Sequence, residues 1–222
     1  MVVATNHDRI YSHQMAETID NTQSSNVLLV SFLEFERLGL KKDAKQAALA
    51  IVDAVSTYDD KVAWTRNNLH KLQFNRGGRI RHEIFAGIIF PVLKAEFENG
   101  DAEASYLLGK YWSNLFSIPA HYLQMGEPTS GDFFRIAFQI EPSSDRYRQA
   151  YLDALVSGLR YAFHEWPSGI LIDHSNWQGE MCELREEFAQ VESLDTDGKY
   201  AVEITAWIIA TEQYEKHLME HK

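Results

Sequence analysis

Apolar residues recur at spacings of three and four along much of the chain, which is the period of an amphipathic helix. The clearest stripe begins after Ser144 and stops at Pro167; its members are Tyr147, Tyr151, Ala154, Leu155, Gly158, Leu159, Ala162 and Phe163. No segment alternates cleanly with period two, and only 5 prolines and 12 glycines punctuate the 222 residues. Because all-β folds need frequent turns, these patterns predict an all-α fold.

The turn signals between the periodic segments divide the chain into about ten helices. We expect an array of antiparallel helix hairpins, as in an irregular solenoid or bundle. Residues 117–131 are the only stretch expected to form a long irregular connection. No linker rich in Pro, Gly and Ser separates two halves, so residues 1–222 are expected to form a single domain, in which residues 1–75 are the most separable part.

The cysteine content and the apolar runs favour a cytoplasmic protein. Cys182 is the only cysteine, so an internal disulfide framework is excluded. The first residues lack the basic start and apolar run of a signal peptide. No window approaches the roughly 18 uncharged apolar residues of a membrane span. We therefore expect no membrane partner.

Two segments share a spacing with a known helical repeat. Leu108 and Gly109 are followed three residues later by Trp112. Further along, an aromatic residue precedes a small residue by three positions and a proline by eight; these are Phe134, Ala137 and Pro142. Over residues 99–165 the pattern resembles tetratricopeptide-type repeats, although the join between the helices is about nine residues longer than usual. The resemblance implies a right-handed stack of helix pairs whose concave face binds protein segments.

Charge is distributed unevenly along the chain. The net charge of −11 excludes a protein that coats nucleic acid uniformly. Residues 61–82, however, contain no acid and six basic residues, which are Lys61, Arg66, Lys71, Arg76, Arg79 and Arg81. We call residues 61–82 the basic window. Arg76, Arg79 and Arg81 are candidate ligands for an anion, a nucleic acid or an acidic partner. The alternative is that they pair with carboxylates elsewhere in the chain.

An acidic stretch near the end of the sequence balances the basic window. Residues 180–203 hold eight acids against Arg185 and Lys199. Glu183, Glu186 and Glu187 could steer a cationic protein partner, or they could form a solvated helix face. Aromatic residues dominate the energies of protein interfaces, and three of them lie in turn-rich segments. These candidate anchors are Trp177, which is expected to be exposed, with Trp166 and Tyr122.

Residues that could support catalysis or bind a metal are few. Arg76 and His82 are separated by five residues, which resembles the Arg-x(4–6)-His pattern of small helical ribonucleases. In those enzymes the histidine acts in acid–base transfer and the arginine stabilises charge, but Gly77 here replaces the family's polar residue after the arginine. His164 and His174 flank a turn with Glu165, but their spacing matches no zinc motif. We expect no metal and no cofactor.

The absence of a strong catalytic motif favours a non-enzymatic, cytoplasmic protein-binding module. Its most concrete form is a bacterial immunity or inhibitor protein that neutralises a cationic toxin or nuclease through an acidic face. The alternative is a ribonuclease-like or RNA- or anion-binding protein that uses the basic window, with Arg76 and His82 as its catalytic pair.

Overall fold

The computed structural model describes residues 25–72 and 79–220, and all regular secondary structure within these ranges is helical. The prediction of an all-α array of about ten helices is therefore confirmed. The chain divides into two compact units, Met1–Pro128 and Thr129–Lys222, called unit 1 and unit 2. The single domain, with residues 1–75 as its most separable part, stays a prediction.

The described helices of unit 1 are mostly short. They are α1 (25–38), α2 (Lys41–Ala54), α3 (Tyr58–Asn68), a 3₁₀ turn (Leu69–Leu72), α4 (His82–Ile84), a π-helical segment (Phe85–Ile89), α5 (Phe90–Glu98), α6 (Ala102–Lys110), α7 (Trp112–Leu115) and α8 (Pro119–Gln124). The expected irregular connection over residues 117–131 is wrong, because α8 lies inside it. Pro119 occupies the first turn of α8, where a helix loses nothing by a missing N–H.

Capping residues explain where several of these helices begin and end. The Thr57 side chain accepts a hydrogen bond from the Asp60 backbone N–H (3.1 Å) at the start of α3. The Asp101 carboxylate does the same for the N–H of Ala104 (2.7 Å) at the start of α6. Gly100 ends α5 at a φ of 79°, a left-handed conformation that favours glycine. Local sequence thus sets these boundaries.

Pro91 lies near a change in helix geometry. The segment before it is π-helical, and Pro91 lies in the first turn of α5. The same segment approaches α2 closely, since a Cβ added to Gly87 would lie 2.9 Å from Val52 Cγ1. The core of unit 1 surrounds this segment; its fully buried side chains include Ile51, Phe85, Ile88, Leu93, Leu108 and Leu115. The π-helical segment is therefore held by packing on α2, α3 and α5.

Unit 2 contains four longer helices. They are α9 (Ser130–Ile140), α10 (Asp145–Ala162), α11 (Trp177–Leu194) and α12 (Ala201–Glu220), with a 3₁₀ turn at His174–Asn176. Each of these α-helices packs on the next along the chain, as expected for consecutive hairpins. A capping box between Thr129 and Asp132 starts α9. The two parts of the tetratricopeptide-like pattern fall in different units, and the resemblance stays a prediction.

Candidate functional site

The three glutamates singled out from the sequence lie together on one side of α11. Glu183, Glu186 and Glu187 are spaced by three and four residues, which makes them neighbours on a helix surface. All three are exposed, whereas Leu184 and Phe188 on the same helix are buried in the core of unit 2. Core packing therefore fixes the orientation of α11 and leaves the glutamates on its exposed side. We call Glu183, Glu186 and Glu187 the acidic face.

The acidic face lacks a counter-charge in the part of the chain that the structure describes. None of its three carboxylates forms an ion pair there, and the Cys182 thiol donates a long hydrogen bond to Glu186 Oε1 (3.9 Å). Residues 129–222 hold 17 acids against eight Lys and Arg, which accounts for −9 of the net −11. The electrostatic potential around the face is therefore negative.

Glu187 is held in an environment that disfavours its charge. Partial desolvation raises the pKa of Glu187, and the negative charge of Glu183 raises it further. Tyr151 on α10 interacts electrostatically with the same glutamate. Burial raises the pKa of the Tyr151 hydroxyl, the positive charge of Arg135 on α9 lowers this pKa, and the negative charge of Glu187 raises it. The acidic face thus borders groups on α9 and α10.

Replacing Glu187 by glutamine is expected to stabilise the protein at neutral pH. Because the folded state raises the pKa of this carboxyl, its ionised form costs stability above that pKa, and the cost vanishes once the group is protonated in both states. The gain in the free energy of unfolding should be at most about 0.5 kcal/mol at pH 7 and absent near pH 3, well below the ordinary pKa of a glutamate. Urea unfolding followed by circular dichroism at both pH values measures it. A destabilised variant at pH 7 would contradict the pKa argument.

The three predicted aromatic anchors have different surroundings, each within its own unit. The expected exposure of Trp177 is wrong: its side chain is only 8% exposed and belongs to the core of unit 2, because it begins α11 on the helix side that packs inward. Trp166 is half-buried and lies edge-on to Tyr214, with 6.4 Å between ring centroids. Tyr122 belongs to unit 1, where its ring lies 5.3 Å from that of Phe116.

Arg81 of the basic window is committed to internal partners. Its Nη1 lies 2.5 Å from Glu36 Oε1, its Nε lies 3.3 Å from Glu83 Oε2, and its Nη2 donates to the Lys41 carbonyl (3.0 Å). Its side chain is 20% exposed. For Arg81 the alternative of internal pairing therefore holds: Nη1 and Nη2 form hydrogen bonds within the chain, while the buried Nε has an ion-pair contact with Glu83 but no hydrogen bond among the described residues. Arg79 is exposed and forms no ion pair within the described residues. Arg76 lies outside them.

His82, the proposed catalytic histidine, is exposed and its protonation pattern is set by its neighbours. The Ser117 hydroxyl donates to the Asn114 carbonyl (2.6 Å), so its single hydrogen is used there. His82 Nδ1 lies 3.0 Å from the same oxygen and donates to it in the tautomer that carries its proton on Nδ1. Ser117 is consequently not activated by His82 as a nucleophile. The Arg76–His82 pairing itself stays a prediction.

The histidines near residues 164–174 are engaged locally where they are described. His164 Nδ1 lies 2.6 Å from the Tyr161 carbonyl, and its Nε2 lies 2.8 Å from Glu165 Oε1. The side chain of His174 lies outside the described part of the structure. Among the described residues, no group of three or more His, Cys, Asp or Glu side chains is arranged to hold a metal ion.

An open groove of about 230 Å³ lies between α11 and α12, and the sequence did not reveal it. Its walls come from both helices; the lining residues are Arg185, Phe188, Ala189, Glu192, Ile208, Thr211 and Glu212. On each helix the lining residues follow spacings of three and four positions, so they share one face of that helix. This spacing predicts only that the face contacts some other part of the protein. Which two faces meet is decided by tertiary packing. We call this feature the α11–α12 groove.

Comparison with known proteins gives no relative for this chain. No protein-family model matches it, and neither a curated protein nor a solved structure is similar to it. Among the described residues, no helix combines the length and the apolar character that crossing a membrane requires.

Proposed function

We propose that the chain is a protein-binding module that recruits a cationic protein through the acidic face of unit 2. The principal support is the exposed group Glu183, Glu186 and Glu187, which lacks counter-charges in the described part of the chain. Within this group, ionisation of Glu187 is disfavoured by partial desolvation and by Glu183. A basic partner would place a positive charge near Glu187 and so make its ionisation less costly. Part of the binding free energy would therefore come from removing this cost, which is present in the unbound protein.

The most concrete form of the proposal is an immunity or inhibitor protein for a cationic toxin or nuclease. Such a role needs rapid capture of the toxin, and a concentrated negative potential accelerates association with a positive partner. The −9 balance of residues 129–222 is consistent with this requirement. RNA or anion binding through the basic window has less support, because Arg81 is held by Glu36, Glu83 and the Lys41 carbonyl.

Neutralising the acidic face tests the proposal. The partner tested is the product of the open reading frame adjacent to the gene for this chain. It is co-expressed with the wild type or with the E183Q/E186Q/E187Q variant, and complex formation and rescue of growth are measured. The association rate is then measured with the purified proteins. The association rate at low salt is expected to fall at least about tenfold in the variant, because electrostatic steering contributes roughly 10–10³-fold.

A matched control separates a local effect from total charge. The E141Q/D197N/E220Q variant removes three other exposed acids of unit 2 and should associate within about twofold of the wild type. If the association rate fell equally in the two variants, the effect would come from the net charge of the protein and not from the acidic face. An unchanged rate in the first variant, or no complex with the wild type, would overturn the proposal.

A further inference from the structure

The α11–α12 groove has the chemistry of a receptor for one long cationic side chain. Phe188 and Ile208 supply an apolar surface from the two facing helices, and Ala189 adds a methyl group beside them. Glu192 on α11 and Glu212 on α12 are exposed members of the lining. A side chain that combines an aliphatic stem with a terminal cation would match both parts of this lining.

The two groove carboxylates have no partner in the described part of the chain. Neither Glu192 nor Glu212 forms an ion pair or a hydrogen bond there. Arg185, the cation of the lining, instead pairs with Glu215, and its Nη1 lies 3.5 Å from the Met181 carbonyl. Its positive charge is therefore already balanced by a carboxylate outside the lining. The groove keeps a negative balance that a cation would complement.

The volume of the groove limits what can occupy it. At about 230 Å³ it is below the roughly 300–1,000 Å³ of typical small-molecule and cofactor sites. A single amino-acid side chain suits this size better than a cofactor does. Arginine suits it better than lysine, because a guanidinium carries five donors in a planar fork and is less strongly hydrated than an ammonium.

We infer that the α11–α12 groove binds an arginine side chain of the cationic partner, with its methylenes on Phe188 and Ile208 and its guanidinium near Glu192 and Glu212. The inference rests on the proposed function for the nature of the partner. It assigns a different role to each surface of α11: the acidic face accelerates association, and the groove retains one residue of the partner after contact.

Binding of a side-chain analogue tests the groove without any knowledge of the partner. n-Propylguanidinium is titrated into the full chain, and the methyl signals of Ile208 and Ala189 are followed by NMR. We expect a saturable shift of both signals. n-Propylurea, which has nearly the same shape and no charge, should bind at least about tenfold more weakly.

Paired charge variants locate the binding energy. The E192Q/E212Q variant should bind n-propylguanidinium at least about tenfold more weakly, whereas E183Q/E187Q, with the same change in net charge, should bind it within about twofold. The A189L variant fills the groove from an exposed position and should also lose binding while every carboxylate remains. Circular dichroism establishes that each variant is folded.

The outcomes separate this inference from the proposed function. Equal shifts with the uncharged analogue, equal losses in the two charge variants, or no saturable shift would overturn the groove assignment. With the partner itself, E192Q/E212Q should raise the dissociation rate and E183Q/E187Q should lower the association rate. If E183Q/E187Q left the association rate unchanged, the proposed function would be contradicted. The groove assignment would still stand if E192Q/E212Q weakened the binding of n-propylguanidinium.

Discussion

Replacing Trp177 by alanine is expected to lower the free energy of unfolding by about 3–5 kcal/mol. The indole is only 8% exposed and lies in the same core cluster as Met181, Leu184 and Phe188. Removing it leaves a cavity, and the surrounding side chains lose both apolar burial and dispersion contacts. Since small proteins have only about 5–15 kcal/mol of stability, the variant should unfold at much lower urea concentrations. Circular dichroism of the full chain measures this change.

An exposed aromatic residue of unit 2 provides the control. Tyr161 is 70% exposed, so Tyr161→Ala should change the free energy of unfolding by no more than about 0.5 kcal/mol. A Trp177→Ala variant of normal stability that fails to bind the partner would return Trp177 to the role of interface anchor. That result would contradict the burial on which the core assignment of Trp177 rests.

Replacing Arg81 by alanine is expected to destabilise the protein by about 2–3 kcal/mol, somewhat below the roughly 3–5 kcal/mol for a fully buried ion pair. The side chains of Glu36 and Glu83 are only 17% and 16% exposed, so both carboxylates would lose their ion-pair contact with Arg81 in a poorly hydrated place. The Lys41 carbonyl would lose a charge-assisted donor as well. Urea unfolding of the full chain measures the loss.

Two further variants identify the cause of the loss. Arg79→Ala removes an exposed guanidinium with no ion pair in the described residues and should cost no more than about 0.5 kcal/mol. The double variant R81M/E36Q should recover part of the stability, because it also removes the negative charge that lies nearest to the Arg81 guanidinium. Full stability of Arg81→Ala together with loss of an anion-binding activity would contradict this prediction. The internal ion pairs would then contribute little to stability, and the basic window would again be interpreted as an anion-binding site.

The helices could be predicted from the sequence because their signals are local. The stripe that begins at Tyr147 matches α10, and Pro167, at which the stripe stops, lies outside that helix. The expectation of an irregular connection over residues 117–131 failed at α8, which begins with Pro119. A proline in the first turn of a helix is distinguished from a loop proline only by the helical residues C-terminal to it.

The candidate site could be predicted only in part. Glu183, Glu186 and Glu187 lie on one side of α11 as their spacing implies, since that relation depends on helix geometry alone. Trp177 was misassigned because its polar neighbours in the sequence are not its neighbours in space. For Arg81 the two alternatives could not be separated from the sequence, because the ion-pair partner Glu36 lies 45 residues away. The α11–α12 groove was missed because its walls come from two helices.

What the sequence determined by itself is the helical character of the chain, the uneven distribution of charge and the grouping of the three glutamates. These properties arise from periodicity and composition, which act over one or two helical turns. What the tertiary structure decided is which charges are balanced, which aromatic residues are buried and where a groove opens. Those properties depend on which helix faces meet, and core packing chooses among many faces of similar apolar character.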